Sequence, residues 1–237
     1  MKNKLIEKIN LELLSNSFTV KNVNLFFDIL AKKNDRTLLI KVLEDADSIN
    51  EKAASEMKSL ASFVNASPLI ISNKAGAELE NDIVYSRFGV LTINPETLSN
   101  CLTNDFPFLK STKAGLAASL DKNKLKELRE DFSLNDLASK LGVSRRMVVK
   151  YESGADINHK RILKIYENFG NIFSEINPLN IRTEIIENFS GEFGAKYSSL
   201  GFKVSDFSKA PFNLAAKRSD EIILTKIGDN FNEKLIE

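Results

Sequence analysis

The sequence predicts a multidomain α+β chain, and three observations carry that prediction. Alternating helical and strand-like runs fill residues 1–102 as an α/β N-terminal domain. A compact all-α unit of four helices, built around a helix-turn-helix, occupies 121–176. The opening strand pattern then returns in 181–237 as a partial second α/β unit. Residues 103–120, with Pro107 and Gly115 among mixed residues, read as a connector with one strand, LAAS.

The elements of the first domain follow from periodicity. Leu5, Ile6, Ile9, Leu13 and Leu14 fall near one stripe, which predicts an amphipathic helix. Three short apolar, partly β-branched runs come next, Phe18 to Val23, Leu25 to Ala31 and Thr37 to Leu43, the last two separated by the polar turn Lys32 to Arg36. They predict a meander. An alanine-containing helix from Ile49 to Val64 follows, then the strand-like PLIISN, a helical piece around Ala75 to Leu79, and the strand-like GVLTI before Pro95.

The central unit is read from its caps. Lys122 to Glu130 spaces Leu125 and Leu128 for a leading helix. Ser133 then precedes a helical run with Asp136 three residues on, so its hydroxyl can cap free backbone amides while the carboxylate favours the helix N-terminus. Leu137, Ala138 and Leu141 give that helix one apolar face. Gly142 stands where a tight turn needs positive φ, and Ser144 caps a second helix with Met147, Val148 and Tyr151 on its inner side. Arg145, Arg146 and Lys150 are left on the outer edge, where a recognition helix carries its base-reading residues. Ile157 to Phe169 supplies a covering helix that ends at Gly170.

Composition bounds the function. Lys and Arg total 33 against 32 Asp and Glu, so no overall field attracts nucleic acid and any basic surface must be local. From Asp121 to Gly170, eleven cations face eight anions, which concentrates positive charge at the helix-turn-helix. A single cysteine, Cys101, excludes an internal disulfide framework, fits a reducing cytoplasm and reads as a buried spectator. The sole histidine, His159, has no cysteine cluster around it and reads as a surface residue at a helix start, so no metal site is expected. No apolar run approaches a membrane span and the N-terminus does not have the pattern of a signal peptide, so the expected location is cytoplasmic.

The string from Ser133 to Gly154, SLNDLASKLGVSRRMVVKYESG, resembles the Cro-like and Xre-like helix-turn-helix domains of phage repressors. With LKELRE before it, LGVSRRMVVKYESG is similar in particular to the archaeal HTH-type transcriptional regulatory proteins. The resemblance implies base contacts from Arg145, Arg146 and Lys150, and phosphate contacts near the helix starts at Ser133, Asn135 and Ser144. One departure bears on it: the segment from Arg129 to Ser133 is shorter than in most repressors, which weighs against the Arg129–Glu152 ion pair that the family pattern suggests.

The order of elements in the first domain, with Asp28 on one strand and Lys41 in LLIKV on the next, resembles the PD-(D/E)xK nuclease fold. There, two carboxylates hold a divalent metal that activates water, and a lysine stabilises developing charge. Asp28 and Lys41 match, but Leu39 stands where the second carboxylate is required, and a leucine cannot ligate metal. The domain is therefore expected to be a degenerate relative with no catalytic residues. Displacing the chain by 185 positions sets FDILAKKNDRTLLIKV against FNLAAKRSDEIILTKI, with Asn213 at the place of Asp28, Leu224 at that of Leu39 and Lys226 at that of Lys41. Ile185 to Gly201 resembles the opening helix again. The second copy stops at NFNEKLIE, so that segment is expected to be the least ordered or to pair with another subunit, and a closed sheet within 181–237 would contradict this.

The expectation is thus a sequence-specific transcriptional regulator that binds double-stranded DNA as a homodimer, without cofactor or membrane. Two alternatives stay open. One is a metal-dependent DNA nuclease targeted by its helix-turn-helix, in which cleavage depends on Asp28. The other is an antitoxin-type protein-interaction module, whose binding should resist salt where phosphate-dominated binding does not.

Overall fold

The structure, a computed structural model, describes residues 2–228. It opens with α1 (Lys2–Ser15), followed by an antiparallel meander of β1 (Thr19–Asn22), β2 (Ile29–Lys33) and β3 (Arg36–Leu43). α2 (Glu51–Phe63) begins where the Asn50 side chain accepts the Ala53 N–H. β4 (Ser67–Ser72) then lies parallel to β3, as a helical crossover requires. The hairpin β5 (Lys74–Ala75) and β6 (Ala77–Glu78) leads to β7 (Ile83–Arg87), β8 (Val90–Ile93) and α3 (Pro95–Leu102). A second hairpin, β9 (Leu109–Thr112) and β10 (Gly115–Ser119), precedes the helical unit.

That unit consists of α4 (Lys122–Asp131), α5 (Leu134–Leu141), α6 (Arg145–Glu152), the short β11 (Asp156–Asn158) and α7 (His159–Phe169). β11 pairs with β10, so a single mixed sheet of nine strands runs in the order β1-β2-β3-β4-β8-β7-β9-β10-β11. Its two faces carry separate cores. Ile9 and Leu13 of α1 and Leu98 and Cys101 of α3 cover one side with Leu38, Ile40, Leu69 and Ile71. Met57, Leu60 and Phe63 of α2 cover the other with Leu39 and Ile70. Adjacent strand residues point to opposite faces, which is why both sides of β3 and β4 are apolar.

After α8 (Glu192–Ser199), a three-stranded antiparallel sheet of β12 (Lys203–Asp206), β13 (Leu214–Arg218) and β14 (Glu221–Thr225) packs on the outer side of α2. Phe207 and Ala215 join the α2 core, and the Lys217 ammonium donates to the Ser62 and Phe63 carbonyls at the end of α2. The hairpin geometry repeats that of β2 and β3. Leu214 pairs with Thr225 and Arg218 with Glu221, each 185 positions after Ile29 with Ile40 and Lys33 with Arg36. Even the turn repeats, with positive φ at Asn34 and at Ser219. The first strand does not keep step: Thr19 pairs with Lys32 but Lys203 with Lys217, a slip of one residue.

Several expectations change. Ala75 to Leu79 is a hairpin rather than a helical piece, because Gly76 adopts φ of 72° and donates its N–H to the Asp45 carboxylate, tying the turn back to the end of β3. The connector at 103–120 contains two strands, both built into the main sheet. A helix that the strand-like run before Pro95 does not announce, α3, follows it, with Asn94 as N-cap and Pro95 in its first turn. The central unit is not purely helical, since β11 joins it to the sheet; three residues are too few to leave a periodic trace. Leu25 to Ala31 is a strand only from Ile29, because Phe26 and Phe27 turn inward against α2. Among the described residues, β12, β13 and β14 form an open three-stranded sheet whose inner face packs on α2 of the same chain. The expectation for the segment NFNEKLIE lies outside the described residues.

Candidate nucleic-acid interface

The helix-turn-helix is fixed by local chemistry at each junction. The Ser133 hydroxyl accepts the Asp136 N–H at 3.2 Å and donates to the Asp136 carboxylate at 2.5 Å, closing the first turn of α5. Gly142 takes the left-handed conformation, φ 65° and ψ 38°, and the Val143 N–H bonds back to the Ala138 carbonyl at 2.9 Å. Ser144 then caps α6 by accepting the Met147 N–H at 3.3 Å. Beneath these turns Leu125, Leu137, Ala138, Leu141, Val148, Tyr151, Ile162 and Ile165 form one core. Its packing sets the angle at which α6 projects.

Arg145, Arg146 and Lys150 are exposed on the outer side of α6, and none of the three side chains makes an ion pair or hydrogen bond with the described residues. Three uncommitted cations on one short helix are free to meet an anionic or acceptor-rich surface. No acidic residue stands in the first turn of α6, whereas Asp136 stands in that of α5. Ser144 therefore sits at a helix start that favours an anion, while Ser133, its hydroxyl held by Asp136, sits at one already neutralised. Asn135 is exposed on α5 beside it.

The Arg129–Glu152 ion pair forms after all, with Nε 3.3 Å from the carboxylate. The short segment after Arg129 does not prevent it, because the same guanidinium also donates to the Phe132 carbonyl at 2.8 Å and is thereby held at the end of α4, facing the end of α6. On the opposite side of the unit, Asp156 of β11 accepts from Lys110 at 2.7 Å and Ser119 at 2.8 Å. Burial acts to raise the Asp156 pKa, but these two hydrogen bonds outweigh it and hold the carboxyl below its usual range. Phe108 stacks on Phe173 with centroids 4.9 Å apart. The helices are thus pinned to the sheet by strand pairing, an ion pair and a ring stack.

The second constellation, at Asp28, is arranged differently from a metal centre. Asp28 is 7% exposed and its carboxylate is taken: one oxygen accepts the Val42 N–H at 2.8 Å and the other the Lys2 ammonium at 2.8 Å, with Lys41 at 3.4 Å. Lys41 is desolvated, which lowers its pKa; Asp28 opposes that shift, and the charges of Lys2 and Lys209 add to it. Leu39 is 1% exposed within the α2 core. A divalent ion would have to displace two lysines to find a single carboxylate, so the residues present do not fit a catalytic metal. Among the described residues no group of three or more His, Cys, Asp or Glu is placed to hold one. The match of Asp28 to Asn213 explains what the position does. The Asn213 side chain accepts the Ile227 N–H at 2.9 Å, as Asp28 accepts from Val42, and both backbones donate across the hairpin, to Thr225 and Ile40. The sequence pointed to Asp28 and Lys41 but not to Lys2, which comes from the far end of α1.

Cys101 is fully buried in α3, and burial, with Asp82 and Asp105 nearby, pushes its thiol up to about 12, too high for thiolate chemistry. His159 opens α7 on the surface. No helix among the described residues is long and apolar enough to cross a membrane.

Comparison with known proteins finds relatives of both regions. Residues 2–107 match the profile of the PD-(D/E)XK superfamily domain, and residues 125–171 that of the helix-turn-helix family. Relatives named "Putative HTH-type transcriptional regulatory protein" span most of the chain. The one from Archaeoglobus fulgidus is 36% identical over 84% of this chain and 68% of its own length; that from Methanoculleus marisnigri is 34% identical over 93% and 76%. A third, from Thermococcus kodakarensis, is 34% identical over 89% and 70%. No solved structure matches the chain.

Proposed function

We propose, for a chain that belongs to the archaeal family of HTH-type transcriptional regulatory proteins, that it is a sequence-specific DNA-binding regulator which lays α6 in the major groove. The observation that carries this reading is the set of uncommitted cations Arg145, Arg146 and Lys150 on the exposed side of a capped, rigidly seated helix. An arginine fork reaches guanine O6 and N7 together, and each such contact contributes ~1–3 kcal/mol of discrimination. Ser144, at the unneutralised N-terminus of α6, is the stronger of the phosphate contacts; Asn135 and Ser133 flank the same approach.

One module reads only a few base pairs, so the protein acts as a homodimer on a pseudo-palindromic site. The domains run as the nuclease-like unit of 1–102, the hairpin segment of 103–120, the helical unit of 121–176 and, in 181–237, a second partial unit of the same descent. Both nuclease-like units serve as body rather than as enzyme, and the protein works in the cytoplasm. Support for the absence of catalysis comes from the commitment of Asp28 to Val42 and Lys2 and from the burial of Leu39.

The test is a gel-shift series on duplex DNA selected from a random library. Replacing Arg145 and Arg146 together by alanine should weaken selected-site binding by roughly thirtyfold or more, as the loss of two base contacts requires. It should weaken non-specific binding far less. Affinity and selectivity that survive the double replacement would remove the recognition-helix assignment. A salt-insensitive complex would point to the protein-interaction alternative.

A further inference from the structure

The outer side of α6 holds one side chain that neither the fold nor its basic character explains. Val149 is 49% exposed and takes no part in the core beneath the helix. At about 100° per residue, with Arg145 as origin, Val149 lies at about 40°, Arg146 at about 100° and Lys150 at about 140°. The buried Tyr151 and Val148 lie on the opposite side, at about 240° and 300°. Val149 therefore stands between the two arginines, inside the basic face rather than at its margin. For the fold alone this is a poor choice: a β-branched residue loses side-chain freedom in a helix, and its methyl groups face water.

We infer that Val149 is a specificity-determining residue that packs its methyl groups on the C5-methyl of a thymine in the major groove. The inference rests on the proposed placement of α6 and adds a base preference to it. Thymine alone among the four bases presents an apolar group to that groove, so a short apolar side chain flanked by donors distinguishes it from cytosine, whose ring edge lacks the methyl. The flanking charges name the occupant. An apolar protein partner would have to desolvate Arg145 and Arg146 to reach Val149, whereas duplex DNA offers guanine acceptors and phosphates to both cations while bringing a methyl between them.

Replacement of thymine by deoxyuridine removes that methyl and nothing else. With the full chain and duplex DNA selected from a random library, each thymine of the enriched site is exchanged in turn. One thymine per half-site should cost about fourfold in affinity, the ratio that burial of one methyl group confers. The penalty should shrink in Val149→Ala, which loses both γ-methyls and keeps only Cβ, and persist in Val149→Thr, which keeps a γ-methyl. Alanine is the better helix former at an exposed position, so a loss cannot be ascribed to unfolding. If no exchange lowers affinity, or if the same penalty remains in Val149→Ala, the inference is overturned while the DNA-binding reading stands. If no sequence is enriched at all, that reading fails and the inference with it.

Discussion

Asp28 separates a structural carboxylate from a catalytic one, and two substitutions tell them apart. Asp28→Ala removes the acceptor of the buried Val42 N–H, a loss of ~1–3 kcal/mol, and strips Lys41 of its counter-charge. Breaking a fully buried pair costs more than that, but Lys41 keeps 16% of its side-chain surface exposed, so about 1–2 kcal/mol is the appropriate share. The two effects give ~3 kcal/mol. Asp28→Asn keeps an acceptor for Val42, the role that the natural Asn213 fills towards Ile227, and loses only the ionic part, ~1 kcal/mol at the lower end of that share. For a chain of this size each kcal/mol moves Tm by roughly 3 °C, so the alanine variant should melt roughly 9 °C below the parent and the asparagine variant roughly 3 °C below. Circular dichroism melts measure this, and amide exchange at Val42 localises it: protection should fall in Asp28→Ala and hold in Asp28→Asn. Equal losses in the two variants would refute the acceptor role. Magnesium-dependent DNA cleavage that Asp28→Asn abolishes would restore the enzyme reading.

Gly142→Ala should destabilise the helical unit by ~1–2 kcal/mol, because φ of 65° is strained for any L side chain and the added Cβ would lie 3.0 Å from the Lys164 ammonium; a melt equal to the parent's would show the turn to be unstrained. Ser144→Ala should cost ~1 kcal/mol through the lost cap of α6 and weaken DNA binding further than the melt alone accounts for, as comparison of unfolding and gel-shift titrations would show. Asp156 has a folded-state pKa below its unfolded value, so its contribution is complete above the ordinary carboxylate range and is lost as pH falls through the folded value. The stability gap between the parent and Asp156→Asn should therefore be open at pH 7 and close towards pH 3, and a gap that widens on acidification would contradict the ion pair with Lys110. Lys217→Met should lower stability by ~1 kcal/mol by freeing the last carbonyls of α2, read as faster amide exchange at the junction of α2 with the second sheet.

The helix-turn-helix was legible because each of its signals is local. Ser133, Gly142 and Ser144 act within three or four residues of themselves, and the apolar positions they bracket need only helical periodicity to be placed. The repeat was legible for the same reason, since a hairpin carries its register in its own alternation and in the turn at Asn34 or Ser219. What the sequence hid depends on distant partners. Gly76 bends a hairpin because Asp45, 31 positions earlier, holds its N–H. β11 is a strand only because β10 lies beside it, and three residues between two helices give no periodic signal. Lys2 meets Asp28 across α1, which no spacing predicts. Arg129 reached Glu152 despite a shortened segment because its guanidinium also grips the Phe132 carbonyl.

The pairing of β11 with β10 bears on how the protein would read a site. A helix-turn-helix on a flexible tether can adjust to half-sites at several spacings, since a linker samples many distances. Here the unit continues the main sheet through the antiparallel pairing of Ala117, Ala118 and Ser119 with Asn158, Ile157 and Asp156, and the Lys110–Asp156 ion pair and the stack of Phe108 on Phe173 close the same junction. The orientation of α6 is therefore set by the body that carries it, and a dimer of such bodies should hold its two recognition helices at one separation. Insertion of half a helical turn of DNA, about five base pairs, or of a full turn between the selected half-sites should then reduce affinity to that of a single half-site. A protein indifferent to that spacing would have its helical units hinged at β10 and β11, against the hydrogen bonds and the ion pair that join them.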